Sequence, residues 1–294
     1  MTDGEATWRI ALEVPSASHF DAIETALSLD GAPVSTSEIA PGAGWRMEVH
    51  CTTEPNRAAI TARLIVAAAI GGIETPDFVI EKMAAIDWVI RVQENSPPVS
   101  AGKFYIHGSH VAEPVPESRI GLLIDAGAAF GTGTHVTTQG CLIAFERISQ
   151  FREIRASLDL GCGSGILAIG IAKLWPASVL AADNDPMAVE ITAENAKINN
   201  VADKIKAIQS DGFKATAISD HGPFDLIAAN ILAEPLITLA PDIAHHLAPG
   251  GEVVLSGLLE IQSDDVVAAH ERAGLKLAEQ ITLGEWHTLV MRRP

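Results

Sequence analysis

The sequence predicts an α/β protein in which a small α+β domain precedes a larger, mostly parallel sheet. Three observations support this fold class. From residue 157 onward, strand-like apolar runs alternate with helical patterns, as in a parallel sheet covered by helices on both faces. Residues 158–165, LDLGCGSG, join one such run to a helix through three glycines. The first 85 residues show a different order of strands and helices, which indicates a separate domain.

The N-terminal domain is predicted over residues 1–85. Apolar alternation, helical spacing and intervening glycines and prolines give its elements in the order βαββαβ. The predicted strands are 8–14, 34–39, 45–51 and 77–83, and the predicted helices are 18–29 and 55–69. The sequence Pro-Gly-Ala-Gly at 41–44 predicts a hairpin between the second and third strands. This order is that of a ferredoxin-like domain, one small sheet with two helices on one side.

Residues 86–116 are predicted to be a linker, because prolines and glycines recur through residues 97–116. The second domain is then predicted over 117–294. Its first elements are a strand at 121–124, a loop at 125–138 and a helix that continues to Ile148. The hydroxyl of Thr137 or Thr138 is well suited to cap the start of that helix.

The rest of the second domain is predicted to contain seven strands, with helices between the first five. These strands are 157–161, 178–183, 205–210, 224–229, 251–256, 275–281 and 286–292. Only residues 283–285 separate the last two, which is a hairpin length. Because strands joined by a hairpin are antiparallel, the otherwise parallel sheet is predicted to contain one antiparallel strand at its end.

The glycine turn and an acid after the next strand predict a nucleoside site. Gly161, Gly163 and Gly165 allow backbone angles closed to other residues, and the helix that follows offers unpaired N–H groups. Asp183 ends the next predicted strand, 22 residues after Gly161. Its carboxylate is therefore placed to accept both ribose hydroxyls. A dinucleotide-binding turn would have a glycine where this sequence has Ile166, which disfavours an oxidoreductase.

The spacing Asp-x-Gly-x-Gly-x-Gly, which begins at Asp159, resembles the first motif of the class I S-adenosylmethionine methyltransferases. That fold has a Rossmann-like seven-stranded sheet with a final antiparallel strand, as the hairpin predicts independently. Ligands of such sheets lie outside the carboxyl ends of the strands. Two further polar residues follow strands at that edge. Asp211 could receive the adenine amino group or simply form a turn, and Asn230 lies where methyl donor and acceptor should meet.

Two segments make the resemblance more specific. The sequence NILAEPL at 230–236, together with AFGTGTH at 129–135 and the threonine pair that follows, resembles the PrmA family. These bacterial methyltransferases modify ribosomal protein eleven of the large subunit. The resemblance covers the whole chain, since the family joins a ferredoxin-like substrate-recognition domain through a linker to a class I catalytic domain. The sequence departs from the family at Ala126 and Val136, where the family usually has proline. Neither change removes a polar group.

The resemblance implies S-adenosylmethionine as the cofactor. The residues that it implies as cofactor contacts are Phe130, Gly131, Thr132, Thr138, Gly161, Gly163, Asp183 and Asn230. Within this set, Phe130 and the 131–133 backbone would cover the methionine end of the cofactor, although a phenylalanine can also serve ordinary core packing. His135 is left open between a general base and a residue that caps or braces the loop.

The predicted activity is protein N-methylation, with Asn230 as the catalytic residue. Its carbonyl would accept hydrogen bonds from the incoming amine and hold it in line with the methyl group. The resemblance implies lysine side chains, the N-terminal amine, or both, of the ribosomal protein as acceptors. The alternative is a small molecule or a glutamine amide. Enzymes of the latter kind usually show Asn-Pro-Pro-Tyr, whereas Ile231 and Leu232 follow Asn230 here. Cofactor binding without turnover is a third possibility, which the intact motifs disfavour.

Composition sets broad limits on the partners. The formal net charge of −17 disfavours a chain that reads nucleic acid directly and favours a basic substrate. Three cysteines without Cys-x-x-Cys spacing indicate neither disulfides nor a zinc site, and we expect no metal. The N-terminal sequence shows no signal peptide, and the most apolar window is shorter than the roughly 20 residues of a membrane span. These features predict a cytoplasmic protein without a membrane partner.

Overall fold

The structure is a computed structural model, and it describes residues 7–16, 19–27, 34–39, 44–83, 97–125 and 135–294. The chain divides into two compact units, Met1–Val92 and Gln93–Pro294. Each unit has its own apolar core. They are therefore described separately.

The first unit is an antiparallel sheet with two helices. Its strands are β1 (Thr7–Val14), β2 (Val34–Glu38), β3 (Trp45–Cys51) and β4 (Phe78–Met83), and its helices are α1 (Phe20–Leu27) and α2 (Arg57–Gly71). The strand order is β2-β3-β1-β4, with every neighbouring pair antiparallel. The helices pack against each other, and Ile23 and Leu64 share one core with Ile10 and Met47 of the sheet. The predicted ferredoxin-like arrangement is confirmed.

Three short strands begin the described part of the second unit. They are β5 (Val99–Ala101), β6 (Phe104–His107) and β7 (Ile120–Leu123), which form a small sheet of their own. The first two lie within 86–116, the segment predicted as a linker. Prolines and glycines in this segment indicated loop, but Ala101, Phe104 and Ile106 are buried in the main core of the second unit. The compact second unit thus starts earlier in the sequence than residue 117.

The main sheet of the second unit has seven strands in the order β10-β9-β8-β11-β12-β14-β13. They are β8 (Ala156–Leu160), β9 (Ser178–Asp183), β10 (Ile205–Gln209), β11 (Phe224–Asn230), β12 (Leu247–Leu259), β13 (Lys276–Leu283) and β14 (Trp286–Arg292). The first five in this order are parallel, and β14 is antiparallel to both of its neighbours. The seven-stranded sheet and its antiparallel end are as predicted.

Helices cover both faces of this sheet. They are α3 (Val136–Ser149), α4 (Ile166–Leu174), α5 (Pro186–Ile198), α6 (Thr216–His221), α7 (Ala233–His246) and α8 (Glu260–Arg272). Apolar residues of α3, α4 and α5 share one core, and those of α6, α7 and α8 share the other. Alternate residues of each strand therefore enter different cores, for example Ala181 the first and Leu180 the second. On β8 the positions that face the first core are Ser157 and Asp159, both buried.

Helix α3 approaches β14 closely at Gly140. A Cβ atom built on this glycine would lie 2.2 Å from the hydroxyl oxygen of Thr288. Thr288 is itself buried, and its hydroxyl lies 2.8 Å from that of Ser256 on β12. Gly140 thus lets the helix rest on the sheet near the strand ends that carry the predicted site.

We predict that Gly140→Ala destabilises the second unit. Alanine favours a helix over glycine by about 1 kcal/mol, but the new methyl group would overpack the contact with Thr288, at a cost of about 1–3 kcal/mol. The free energy of unfolding, measured with denaturant, should therefore fall rather than rise.

The control is the double variant Gly140→Ala/Thr288→Ala. Because the second substitution removes the clashing hydroxyl, the double variant should lose less stability than the sum of the two single variants. Additive losses would show that the contact is not the cause.

Candidate active site

The predicted site residues that the structure describes lie at the edge of the main sheet where the parallel strands end. Gly161 follows β8, Asp183 ends β9, and Asn230 ends β11. These three strands are neighbours in the order β9-β8-β11. Their carboxyl ends meet at one edge, and this brings together residues that are far apart in the sequence.

The glycine turn between β8 and α4 has the conformation that its glycines predict. The φ angles of Gly161, Gly163 and Gly165 are 74°, 53° and 78°, all in the left-handed region. A Cβ atom on Gly161 would also lie 2.5 Å from Cγ2 of Ile231. The N–H groups of Gly161 and Cys162 donate to the carbonyl of Ala182, at 2.8 and 3.1 Å, and tie the turn to the end of β9.

The Asp183 carboxylate connects the glycine turn to the start of α5. Its Oδ2 accepts the N–H of Gly163 at 2.9 Å, and its Oδ1 accepts the N–H of Asp185 at 3.0 Å. The residue is only partly buried, and each carboxylate oxygen can accept a further hydrogen bond. The predicted proximity of Asp183 to the turn is present in the structure, and its ribose contact stays a prediction.

Two residues that the sequence analysis did not identify support the turn from α5. The Thr192 hydroxyl donates to the carbonyl of Gly163 at 3.0 Å, and Nδ2 of Asn195 donates to the carbonyl of Ser164 at 2.8 Å. Both side chains are buried. Their spacing of three residues places them on one side of the helix, and this pattern could have identified them once α5 was assigned.

Asp159 lies beneath the turn and is almost fully buried, with 1% exposure. Its Oδ2 accepts the N–H of Ala168, in the first turn of α4, at 2.9 Å, whereas its Oδ1 has no hydrogen-bond partner in the part of the chain that the structure describes. Burial raises the pKa of this carboxyl to about 7, the Ala168 hydrogen bond opposes the rise, and nearby Asp183 adds to it. The sequence identified Asp159 as a motif residue but did not indicate its buried state.

Asn230 and Thr138 meet at the same edge. Nδ2 of Asn230 donates to Oγ1 of Thr138 at 3.4 Å, a long bond that links the end of β11 to the first turn of α3. Thr138 is buried and Asn230 is half-buried. The structure therefore brings together two of the predicted contact residues that lie 92 positions apart.

The predicted cap of α3 is wrong. The helix begins at Val136, and its N-cap is His135, whose side chain accepts the N–H of Thr137. His135 Nδ1 lies 2.8 Å from the Thr137 hydroxyl, and its ring packs edge-on against Trp286 with centroids 4.8 Å apart. A ring nitrogen thus takes the role expected of a threonine hydroxyl. These contacts favour the capping role of His135 over the general base.

The loop that follows β10 has the features of a turn. Asp211 is exposed and forms an ion pair with Lys214 at 2.5 Å. Ser210 organises the backbone, since its hydroxyl donates to the carbonyl of Gly212 and accepts the N–H of Ala215. These contacts account for Asp211 without a ligand, and its adenine contact stays a prediction.

Three of the predicted cofactor contacts, Phe130, Gly131 and Thr132, lie outside the described residues. Within the described ranges, no group of three or more His, Cys, Asp or Glu side chains could hold a metal ion. No helix of that part of the chain has the length and apolar character needed to cross a membrane.

Comparison with known proteins identifies the family. Residues 36–294 match the model of the family described as ribosomal protein L11 methyltransferase (PrmA). The chain belongs to this family. It is 49% identical to the ribosomal protein L11 methyltransferase of Rhizobium etli over 214 residues, 73% of each chain. It is 43% identical to that of Rhizobium rhizogenes over 265 residues, 89% of each chain.

A solved structure agrees with this assignment. The crystal structure of a ribosomal protein L11 methylase from Lactobacillus delbrueckii subsp. bulgaricus superposes with a TM-score of 0.58 at 32% identity. The match covers 67% of this chain and 98% of the other. The predicted family, fold class and S-adenosylmethionine-dependent methyltransferase activity are confirmed.

The residues of this PrmA-family chain fit S-adenosylmethionine. Gly161 and Gly163 carry no side chain, so a ligand can approach the main chain of the turn closely. The partly exposed Asp183 carboxylate beside it suits a pair of hydroxyl donors. At the same edge, the Asp183 carboxylate and the Asn230 amide oxygen add hydrogen-bond acceptors, and a carboxylate suits a ligand with positive charge.

We predict that Asp183→Ala weakens S-adenosylmethionine binding. The change removes the proposed bonds to the ribose hydroxyls, each worth on the order of 1.5–3 kcal/mol, and frees the N–H of Gly163 that Oδ2 now accepts. Calorimetry should show a rise in Kd of tenfold or more, roughly 1.4 kcal/mol for each factor of ten.

Asp220→Ala is the matched control, since it removes an exposed carboxylate from α6. Its Kd should stay close to that of the parent. Unchanged affinity for S-adenosylmethionine in a folded Asp183→Ala variant would contradict the predicted contact between Asp183 and the ribose.

Proposed function

We propose that this chain transfers methyl groups from S-adenosylmethionine to amino groups of ribosomal protein L11. The observation that carries the proposal is the family match over residues 36–294, which includes the glycine turn, Asp183 and Asn230. We propose lysine side chains, the N-terminal amine, or both, as acceptors, with the reaction in the cytoplasm. The acceptor protein could be free or part of the ribosome, and the experiment below separates these states.

The donor would lie along the carboxyl edge of β9, β8 and β11. We propose that Asp183 accepts hydrogen bonds from the ribose hydroxyls. The backbone at Gly161 and Gly163 would lie against the amino-acid portion of the donor, and Thr138 and Asn230 would lie beside its methionine end. Phe130, Gly131 and Thr132 would complete the cover by sequence resemblance. The bound donor supplies a methyl group on a positively charged sulfur, and the chain supplies position.

Asn230 is proposed to orient the acceptor amine. Its Nδ2 donates a hydrogen bond to the Thr138 hydroxyl. This bond orients the amide, and the carbonyl oxygen can then accept a hydrogen bond from the substrate. An amine that donates to this oxygen would be held with its lone pair toward the methyl group. The amine must also be neutral, because only an unprotonated nitrogen has a lone pair to attack the methyl group. A normal lysine has a pKa of about 10.4 and is mostly protonated at neutral pH. Desolvation beside a positive charge would favour its neutral form.

We further propose a division of labour between the two units. The functional motifs of the sequence all lie after residue 125, whereas the described residues of the first unit form an antiparallel sheet with two helices and contain none of these motifs. The first unit would therefore select the ribosomal protein and the second would perform the transfer. The division of the chain into two compact units falls between Val92 and Gln93, and a shortened chain can therefore begin at Gln93.

The test is methyl transfer by the purified chain. S-adenosylmethionine is supplied with free L11, with assembled large subunits, or with a glutamine-containing peptide, and products are followed by intact-mass spectrometry. Methylated L11 in either of the first two arms supports the proposal and identifies the form of the substrate. Transfer only to the glutamine amide, or to none of them while the donor binds, would overturn it.

We predict that Asn230→Ala reduces turnover more than donor affinity. An interaction made with the reacting amine appears in kcat, and removal of one preorganised polar group costs on the order of a hundredfold or more. Single-turnover transfer to L11 at saturating donor isolates this step.

The control for Asn230 is Thr138→Val, which removes the bond to Nδ2 but leaves the carbonyl in place. It should lower turnover less than Asn230→Ala, because the amide loses only its orientation. A near-normal single-turnover rate for Asn230→Ala would assign this residue to the turn alone.

We predict that a chain consisting of residues 93–294 binds S-adenosylmethionine but methylates L11 poorly. The residues proposed to bind S-adenosylmethionine all lie in the second unit, so calorimetry should give a Kd for this ligand close to that of the full chain. The rate on L11 at low substrate concentration should fall by a factor of ten or more, since one recognition surface is missing. Full activity from the shortened chain would contradict the division of labour.

A further inference from the structure

The environment of Asp159 differs from that of an ordinary carboxylate. Its neighbours across the sheet are Ala181 on β9 and Ala228 on β11, and all three side chains face the apolar core beneath α3 and α4. The carboxyl is 1% exposed, and Oδ1 has no partner among the described residues. An unpaired ionised oxygen in such a place loses the hydration it has in water, so the neutral acid is favoured.

The groups that face Asp159 supply little positive charge. Cys141 on α3 and Cys162 in the glycine turn interact with it, and burial raises the pKa of each thiol, so both stay neutral. From the end of β9 comes Asp183, which is negative and disfavours a second negative charge. From α4 comes only the N–H of Ala168, with the positive end of the helix dipole. Residues 126–134 contain no titratable side chain.

The balance between the neutral and the ionised form of Asp159 changes when a cation occupies the sheet edge above the glycine turn. Asp159 lies directly before Leu160 and the turn, so a positive charge there would be close to an acid whose other neighbours favour protonation. Opposite charges across a low-dielectric interior interact strongly. The cation would therefore draw the carboxyl toward its ionised form.

We propose that Asp159 is a positioning residue whose proton is released to solvent when S-adenosylmethionine binds. Without the donor, the carboxyl is mostly protonated at pH 6 and about half protonated at pH 7, and its Oδ2 accepts the N–H of Ala168 in α4. Donor-bound, the same carboxyl is ionised and its charge complements the positive donor. The inference rests on the donor assignment within the proposed function, and it requires no contact between Asp159 and L11.

The pH dependence follows from the raised pKa of about 7 in the donor-free chain. If the donor lowers this pKa by two units or more, affinity should be about tenfold weaker at pH 6 than at pH 8, because the proton must leave first. Binding at pH 6 should release close to one proton, and binding at pH 7 about half a proton. The α-amine of the donor also titrates near pH 8, with a pKa of about 7.7–8.0, and contributes equally to every variant.

The experiment is titration calorimetry of the full chain with S-adenosylmethionine in buffers of different ionisation enthalpy, from pH 6 to pH 8. Asp159→Asn keeps an oxygen for Ala168 but cannot ionise, so it should bind without this proton release and without the tenfold pH effect. Asp225→Asn is the control, since Asp225 accepts the N–H groups of Arg155 and Ala156 at the opposite end of the sheet. It should behave like the parent chain.

Infrared difference spectra of the parent chain provide a measurement that does not depend on a variant folding. The C=O band of one protonated carboxyl should disappear when the donor binds at pH 6. Repeating the titration with S-adenosylhomocysteine, which lacks the sulfonium charge, identifies the source of the effect. Proton release with both ligands would show that the ammonium group, which both carry, causes the effect. Proton release with the donor alone would show that the sulfonium charge causes it.

The outcomes separate this inference from the proposed function. Equal proton release in the parent and Asp159→Asn, or a carboxyl band that persists after binding, would overturn the role of Asp159 and leave the methyltransferase assignment intact. Donor binding and proton release without transfer to L11 would leave Asp159 in place and overturn the substrate. Failure of the donor to bind at all would overturn both.

Discussion

The close approach of the glycine turn to the end of β9 is the constraint on which the rest of the site depends. The chain leaves β8 at Leu160 and enters α4 at Ile166, and within this interval two N–H groups must reach the carbonyl of Ala182. Three left-handed glycines make that path possible. Once the turn is held there, Oδ2 of Asp183 meets the N–H of Gly163, and the helix start points toward the ligand edge.

Negative charge is distributed around this turn in two different ways. Asp183 is partly exposed, and its carboxylate accepts two backbone N–H groups. Asp159 is buried, its Oδ1 has no partner within the described ranges, and burial raises its pKa to about 7. The two carboxyls thus lie in unlike environments, and it is the buried one that we propose to change its charge when the positive ligand binds.

Sequence patterns predicted the fold well because periodicity reports burial directly. The alternation after residue 157 gave every strand of the main sheet, and the short 283–285 connection gave its antiparallel end. Composition was less reliable for residues 97–116, where proline and glycine hid two strands that tertiary packing stabilises. For the cap of α3, the sequence favoured Thr137 or Thr138 and left His135 open between a base and a capping residue, because the packing of His135 against Trp286 joins residues far apart in the sequence. Burial of Asp159 follows from two alanines on neighbouring strands, which no local pattern indicates.

The residue at the end of β11 completes the charge distribution of the site. A carboxylate at position 230 would add a negative charge to the sheet edge that carries Asp183, and it would stabilise a protonated amine and so oppose the loss of its proton. An amide avoids both effects. It accepts a hydrogen bond without adding charge, and the bond from Nδ2 to Thr138 directs its oxygen. In the proposed arrangement, negative charge would lie near the positive donor, and an uncharged acceptor would face the amine, which must lose its proton before it reacts.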